Sequence, residues 1–190
     1  MAEATVRPAT PSDAAEIARL QLATWRAAYR DLLPAAVLDT LGDDQAAAEA
    51  EATWRHTIEK GPARVFVAIE GQWHVGFVAA GPAPQDESAA ADGTPVPDAD
   101  RVALVSTLLV EPRWGRRGHG GRLLAAAGEA ALADGLARGI SWVAEEDKAS
   151  RGFWERTGWR SDGTVRTLDA GGRPLREVRM TGTLSFELET

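Results

Sequence analysis

Apolar residues run along this chain in two rhythms. From Ala14 to Tyr29 they recur at helical spacing, with Ala14, Ile17, Leu20, Leu22 and Trp25 on or near one stripe. Thr10-Pro11-Ser12-Asp13 opens that helix: Thr10 is a good cap, Pro11 suits the first position and Asp13 favours the positive end. A short strand, Thr5 to Arg7, precedes it and is ended by Pro8. After the break at Asp31 to Pro34, a second helical region runs from Ala35 to Lys60, interrupted near Gly42-Asp43. It carries Val37, Leu38, Leu41, Trp54 and Ile58. The rhythm then changes. Val65–Ile69 and Trp73–Ala80 are short runs around Gly71-Gln72, which predicts a hairpin.

Residues 81–100 are rich in Pro, Ala and Asp and show no periodicity, so a mobile loop is expected there. Next comes VALVSTLLV, residues 102–110, a continuous apolar run of a strand buried on both faces. Pro112 stops it, because proline cannot donate to a sheet ladder. A Gly-rich turn leads into a helix that reaches Ala133. Gly139–Ala144 predicts a strand and Asp147–Arg156 a short helix. Thr164–Leu168 and Leu175–Leu184 predict a last hairpin with Ala170-Gly171-Gly172 at its tip. With no repeat and no second domain visible, residues 1–190 read as one domain.

Composition narrows the function classes. A length of 190 residues supports a sizeable core, and 44% hydrophobic with 26% charged residues is ordinary for a soluble domain. The net charge of −7 argues against a general nucleic-acid binder. There is no cysteine, hence no disulfide framework and no thiolate nucleophile. His56, His74 and His119 lie far apart, so no metal site is expected. No apolar run approaches bilayer length, and MAEATVRPAT lacks a signal-peptide core, so a cytoplasmic location without membrane attachment is the expectation.

The chemistry concentrates after residue 110. Gly115, Gly118, Gly120 and Gly121 let the backbone turn sharply, and the helix behind them presents unpaired N–H groups and a positive dipole end. Arg116 and Arg117 add two charges. A turn of this kind suits phosphate. It is not a P-loop, since no Gly-Lys-Ser/Thr follows. Taken alone, it also fits a plain strand-to-helix connection with solvated arginines.

The stretch LLVEPRWGRRGHGGRLLAAA resembles the acyl-CoA pyrophosphate loop of the GNAT superfamily of N-acetyltransferases, Gln/Arg-x-x-Gly-x-Gly/Ala. Gly118 and Gly120 take the two small positions, and Gly115 stands where Gln or Arg is usual. DKASRGFWERTGW resembles the later motif Asn-x-x-Ala-x-x-Phe-Tyr-x-x-x-Gly-Phe. There Phe153, Gly158 and Trp159 fit, while Asp147, Ser150 and Trp154 replace Asn, Ala and Tyr. VRPATPSDAAEIARL resembles the family's first strand and helix. The resemblance implies an α/β (α+β) fold: a mixed, mostly antiparallel sheet flanked by helices, with two central strands splayed apart.

It also implies transfer of an acetyl group from acetyl-CoA, as co-substrate, to an amine of a small molecule or peptide. Main-chain groups of Leu108, Leu109 and Val110 are then expected along the pantetheine arm, and Arg116, Arg117, Gly118, His119, Gly120 and Gly121 around the phosphates. Asp147 and Trp154 join the expected cofactor-binding residues. A lysine-like amine must lose a proton before it attacks, at roughly 4–5 kcal/mol near neutrality. Glu70, Asp100, Glu145 and Glu146 are the carboxylates expected near the cleft, and each also reads as a solvated side chain. The motif's tyrosine often protonates the leaving thiolate. Here it is Trp154, whose N–H does not give up its proton. Tyr29, the one tyrosine of the chain, is expected on the acceptor side. The altered tyrosine position also leaves room for a non-catalytic acyl-CoA-binding or regulatory module. Dimers are common in the family, and a homodimer is compatible with this chain.

Overall fold

The computed structural model describes residues 4–186. Its elements follow the two rhythms. β1 (Ala4–Pro8) leads through a 3-10 turn at Pro11–Asp13 into α1 (Ala14–Ala28), then α2 (Ala35–Thr40) and α3 (Asp44–Lys60). The interruption near Gly42 is a true helix break: the Asp43 carboxylate accepts from the Ala46 N–H at 2.7 Å and caps α3. At the start of α1, buried Asp13 accepts from both Nη atoms of Arg7 at 2.8 Å and from the Thr10 N–H at 2.7 Å. The Arg7 guanidinium holds that carboxyl well below the usual range.

β2 (Arg64–Glu70) and β3 (Trp73–Pro82) form the expected hairpin. A single turn, α4 (Gln85–Ser88), and a 3-10 turn at Ala99–Arg101 precede β4 (Val102–Val110). Then come α5 (His119–Ala133), β5 (Arg138–Ala144), α6 (Lys148–Arg156), β6 (Arg160–Asp169) and β7 (Pro174–Thr183). The seven strands make one sheet in the order β1-β2-β3-β4-β5-β7-β6. Every pairing is antiparallel except β4 with β5.

Helices cover both faces of the centre of the sheet, which is why β2 to β5 read as nearly continuous apolar runs, while the outer strand β6 is largely exposed. On one face Ile17 and Leu20 of α1 and Trp54 of α3 pack on Val65, Val67 and Phe77. On the other, Leu123, Leu124 and Ala127 of α5 pack with Val78, Val105, Trp154 and Trp159. Trp159 is fully buried and lies across two register partners, Gly139 and Gly182. A Cβ at either glycine would come within 2.3 Å of the indole. The indole N–H donates to the Thr183 carbonyl at 3.0 Å.

Parallel pairing between β4 and β5 lasts only from Val102↔Arg138 to Leu104↔Ile140. Beyond that point the strands diverge, and among the described residues no strand pairs with β4 on that side up to Val110. This is the expected splay.

The stretch 81–100 departs from the expectation of a loop without regular structure. β3 extends to Pro82, two helical turns follow, and Ser88 and Ala89 are buried. The cause is remote. Arg179 of β7, only 5% exposed, donates to the carbonyls of Glu87 at 2.9 Å and Ala89 at 2.6 Å. Its remaining donors reach Asp162 and Thr164 on the bulged part of β6. At the far end Asp98 pairs with Arg138 at 2.6 Å. Local periodicity does not register such anchors, because each depends on one distant side chain.

Candidate active site

The splay opens into two connected cavities. The larger, about 460 Å³, runs from the last turn of α1 past Leu108–Val110 to the Gly-rich turn and α6. The smaller, about 290 Å³, lies between the diverging strands and is closed by the outer hairpin and α4. Trp25, Tyr29, Leu108, Leu109, Asp147 and Trp154 line both, and so form the throat between them.

The mouth of the larger cavity is made of backbone. Gly118 has φ +81°, a left-handed conformation that favours glycine, and it caps α5. Arg116 also adopts a positive φ, +62°. Among the described residues, none of the N–H groups of Arg116 to Gly121 has a backbone acceptor. Gly121 has nothing within 4 Å of where a Cβ would stand, whereas Gly120 is closed against Phe153 of α6. The result is a row of unpaired donors at a helix N-terminus, open on one side and suited to a phosphate.

The two arginines separate. Arg116 lines the cavity. Arg117 does not: it pairs with Glu70 at 2.9 Å and lies 4.9 Å from the ring centre of Trp114. His119 is 2% exposed and its Nε2 shares a hydrogen bond with Glu70 at 2.8 Å. Only the backbone of His119 is therefore offered to a ligand. Glu70 ties the β2–β3 hairpin to the turn and is occupied there, outside both cavities.

The other carboxylates expected near the cleft also lie elsewhere. Asp100 is exposed in the turn before β4. Glu145 pairs with Arg176 at 2.8 Å, and with Glu146 it borders a separate recess of about 70 Å³. Glu70, Asp100, Glu145 and Glu146 thus line neither of the two cavities. β5 ends before Glu145, and the chain turns away there into α6.

Three other carboxylates reach the cavities. Asp147 caps α6, accepting from the Ser150 N–H at 3.0 Å and hydroxyl at 2.7 Å, and borders the throat. Glu87 and Glu177 line the smaller cavity on either side of Arg166. Arg166 lies 4.3 Å from the ring centre of Trp142, whose N–H donates to Glu87. Glu177 faces Arg166 in the hairpin register, so this pair was within reach of alternation counting from the turn. Glu87 was not, because its placement depends on Arg179.

Tyr29, at the C-cap of α1, and Trp154, within α6, both line the throat. Trp154 is 4% exposed and packs on Trp159 with ring centres 4.5 Å apart, so it is held rigidly. Burial, then the fields of Asp147 and Glu177, push the Tyr29 phenol up to about 12. It stays protonated across the physiological range.

Two buried polar groups on the larger cavity, Thr24 Oγ1 and Trp114 Nε1, lack partners among the described residues. With the free N–H row and the edge of β4, they fit an amide-rich, phosphate-bearing ligand. Among the described residues no group of three His, Cys, Asp or Glu is placed to hold a metal, and no helix is long and apolar enough to cross a membrane.

A splayed sheet with an anion cradle at one mouth and an acidic, aromatic cavity at the other suits a phosphate-bearing ligand that meets a second molecule at the throat. Comparison with known proteins agrees. The family model described as "Acetyltransferase (GNAT) family" matches residues 22–159. The chain is 26% identical over 175 residues to a "Probable N-acetyltransferase" of Mycobacterium tuberculosis, covering 92% of this chain and 88% of that protein. It is 32% identical over 144 residues to an uncharacterized N-acetyltransferase of Bacillus subtilis, covering 75% of this chain and 73% of the other. Among solved structures it is similar to yncA from Salmonella typhimurium with its cofactor acetyl-CoA, at TM-score 0.68 and 17% identity over 99% of this chain and 98% of that one. A Thermoplasma acidophilum N-acetyltransferase in complex with coenzyme A gives TM-score 0.68 at 12% identity, over 95% of this chain and 99% of that one. The chain belongs to the acetyltransferase (GNAT) family and is an acyltransferase.

Proposed function

We propose that the protein transfers an acetyl group from acetyl-CoA to a primary amine of a small molecule or peptide by direct attack. The observation that carries this reading is the throat: one cavity with a phosphate cradle meets a second, acidic cavity at Tyr29 and Trp154. Bound acetyl-CoA supplies the thioester. Arg116 and the N–H groups of Gly118 to Gly121 hold its phosphates, and the free edge of β4 at Leu108–Val110 pairs with its amides. A β4 backbone N–H stabilises the carbonyl oxygen as it gains charge.

In the reaction a nitrogen–carbon bond forms, the carbon–sulfur bond breaks, and the amine gives up one proton. Asp147 borders the throat and can take that proton directly or through water. Tyr29 lines the throat and would donate a hydrogen bond to the departing sulfur. With a phenol near 12 against a thiol near 8.5, full proton transfer is uphill by roughly 5 kcal/mol. The thiolate therefore leaves with a hydrogen bond and takes its proton from water.

A thermal-shift titration tests the cofactor half. Acetyl-CoA at a hundred times its dissociation constant stabilises the fold by about 2.7 kcal/mol, a rise of roughly 5–10 °C for a domain of this size. CoA should give a comparable rise, and ATP and NADPH little. An equal response to ATP would reduce the turn to a general anion site. A thiol-release assay with amines tests the transfer half, without background because the chain has no cysteine. Trp154 in the tyrosine position favours a second reading, an acyl-CoA-binding module without turnover. Binding with no thiol release from any amine would establish that reading instead.

A further inference from the structure

The smaller cavity has a chemistry of its own. Its walls are aromatic, from Trp25, Tyr29 and Trp142. Its charges come from three separate elements: Asp147 before α6, Glu87 on α4, and Arg166 with Glu177 on the β6–β7 hairpin. Arg166 is the one cation among the described residues that line it, with Arg179 outside the lining at 5.8 Å from the ring centre of Trp142, and two nitrogens of Arg166 are already committed. Its Nε donates to Glu177 Oε2 at 2.6 Å and its Nη1 to both oxygens of Glu87 at 2.9–3.0 Å. Glu177 Oε1 has no hydrogen-bond partner among the described residues. Counting Asp147, Glu87 and Glu177 against Arg166, the cavity carries two net negative charges.

The protein commits a buried group to keeping this charge in place. Arg179 uses its Nη1 to hold the carbonyls on either side of Ser88, which fixes the turn that presents Glu87. The face of Trp142 is already occupied by a guanidinium, so the lining stabilises a cation even without substrate. A ligand carboxylate could reach only the remaining nitrogen of Arg166, beside two carboxylates already bonded to that same group. A volume near 290 Å³ admits on the order of ten non-hydrogen atoms, counting about 30 Å³ for each water-sized place.

We infer that the acceptor is a small dication: an amine acetylated in the throat, with a second positive group held against Glu177 in the cavity between the splayed strands. This rests on the acetyltransferase reading and adds the substrate class. Glu177 is then a specificity-determining residue. Asp147 serves the reacting nitrogen, and Glu177 the distal charge.

Three acceptors of equal chain length test it: diaminobutane, butylamine and aminobutanoate, whose tails are positive, neutral and negative. Thiol release at saturating acetyl-CoA is expected to give the highest kcat/KM for the diamine, about tenfold above butylamine, with aminobutanoate lowest. The advantage should shrink as salt rises, since part of it is screened. In Glu177→Gln the ratio of diamine to butylamine should fall toward one, with the melting shift from acetyl-CoA retained. Equal or better use of aminobutanoate overturns the inference, and so does a diamine preference unchanged in Glu177→Gln. If that variant does not fold, the order of the three acceptors with the unaltered protein decides alone. Acetyl-CoA binding without transfer to any of the three overturns the substrate class but leaves the cofactor reading intact. Absence of acetyl-CoA binding overturns the cofactor reading itself.

Discussion

The two cavities are built by different means. The larger takes its mouth from one contiguous stretch, residues 110–121, and works mainly through main-chain N–H groups. The smaller is assembled from side chains of α1, α4, β4, β5, α6, β6 and β7 and works through charge. A backbone site depends on the conformation of a few residues and tolerates most side-chain changes. A side-chain site depends on every remote anchor that holds its members. The first kind suits an invariant cofactor, and the second lets a fold change acceptors.

The largest effect should come from breaking an anchor of the smaller cavity alone. Arg179→Met leaves Asp162 and two carbonyls without their donor, and removing one partner of a buried pair destabilises by about 3–5 kcal/mol. The turn bearing Glu87 should come loose, and acceptor kcat/KM should fall about a hundredfold where the protein stays folded. The melting shift from acetyl-CoA should persist. Loss of that shift in a folded variant would mean the cavities are not independent.

Gly118→Val tests the other side. A β-branched residue at φ +81° is strained by about 1–2 kcal/mol or more, which the turn relieves by moving. Acetyl-CoA affinity should drop about tenfold to a hundredfold in the same titration, with the relative preference among acceptors unchanged. Next in size is the contrast between the paired arginines. Arg116→Ala removes a charge-assisted contact, about 1.5 kcal/mol or roughly tenfold in affinity. Arg117→Ala, on the outward side with Glu70, should change affinity by less than about fivefold.

The smallest effect belongs to the throat. Tyr29→Phe should lower kcat about fivefold, the value of one neutral hydrogen bond. As the sole tyrosine, Tyr29 can also be titrated optically, with a midpoint expected at about 12 in the folded protein. The raised value has a fixed sign: its contribution to stability is complete below pH 10 and is lost as pH rises toward 12. A midpoint near 10 would place the phenol in water and remove it from the reaction.

The division between the cavities also decides what could be read from the sequence. The strand, the turn and α5 were legible because a buried strand, glycines and a helix start are local patterns, and so was the splay once the motifs were in register. The mouth residues Arg116, Gly118, Gly120 and Gly121 come together as neighbours in sequence do. Carboxylates could not be placed in that way. Glu70 and Glu145 were expected near the cleft, with nothing in their spacing to single them out, and they pair instead with Arg117, His119 and Arg176. Glu87 sits in a stretch without periodicity, and its position comes from distant side chains: Arg179, ninety-two residues away, on its carbonyl, and Trp142 and Arg166 on its carboxylate.

The short seam between β4 and β5 has a mechanical meaning. Only Val102 to Leu104 pair with Arg138 to Ile140, reinforced by the Ser141 hydroxyl on the Val105 carbonyl at 2.9 Å. The sheet therefore behaves as two boards joined at one end, β1 to β4 and β5 to β7, with the gap as the open end of a wedge. Any molecule that lies along the free edge of β4 and touches α6 spans that gap and acts as a strut. Amide exchange at Leu104 and Ile140 would slow with every ligand that spans the wedge. The seam thus serves as a built-in gauge of occupancy.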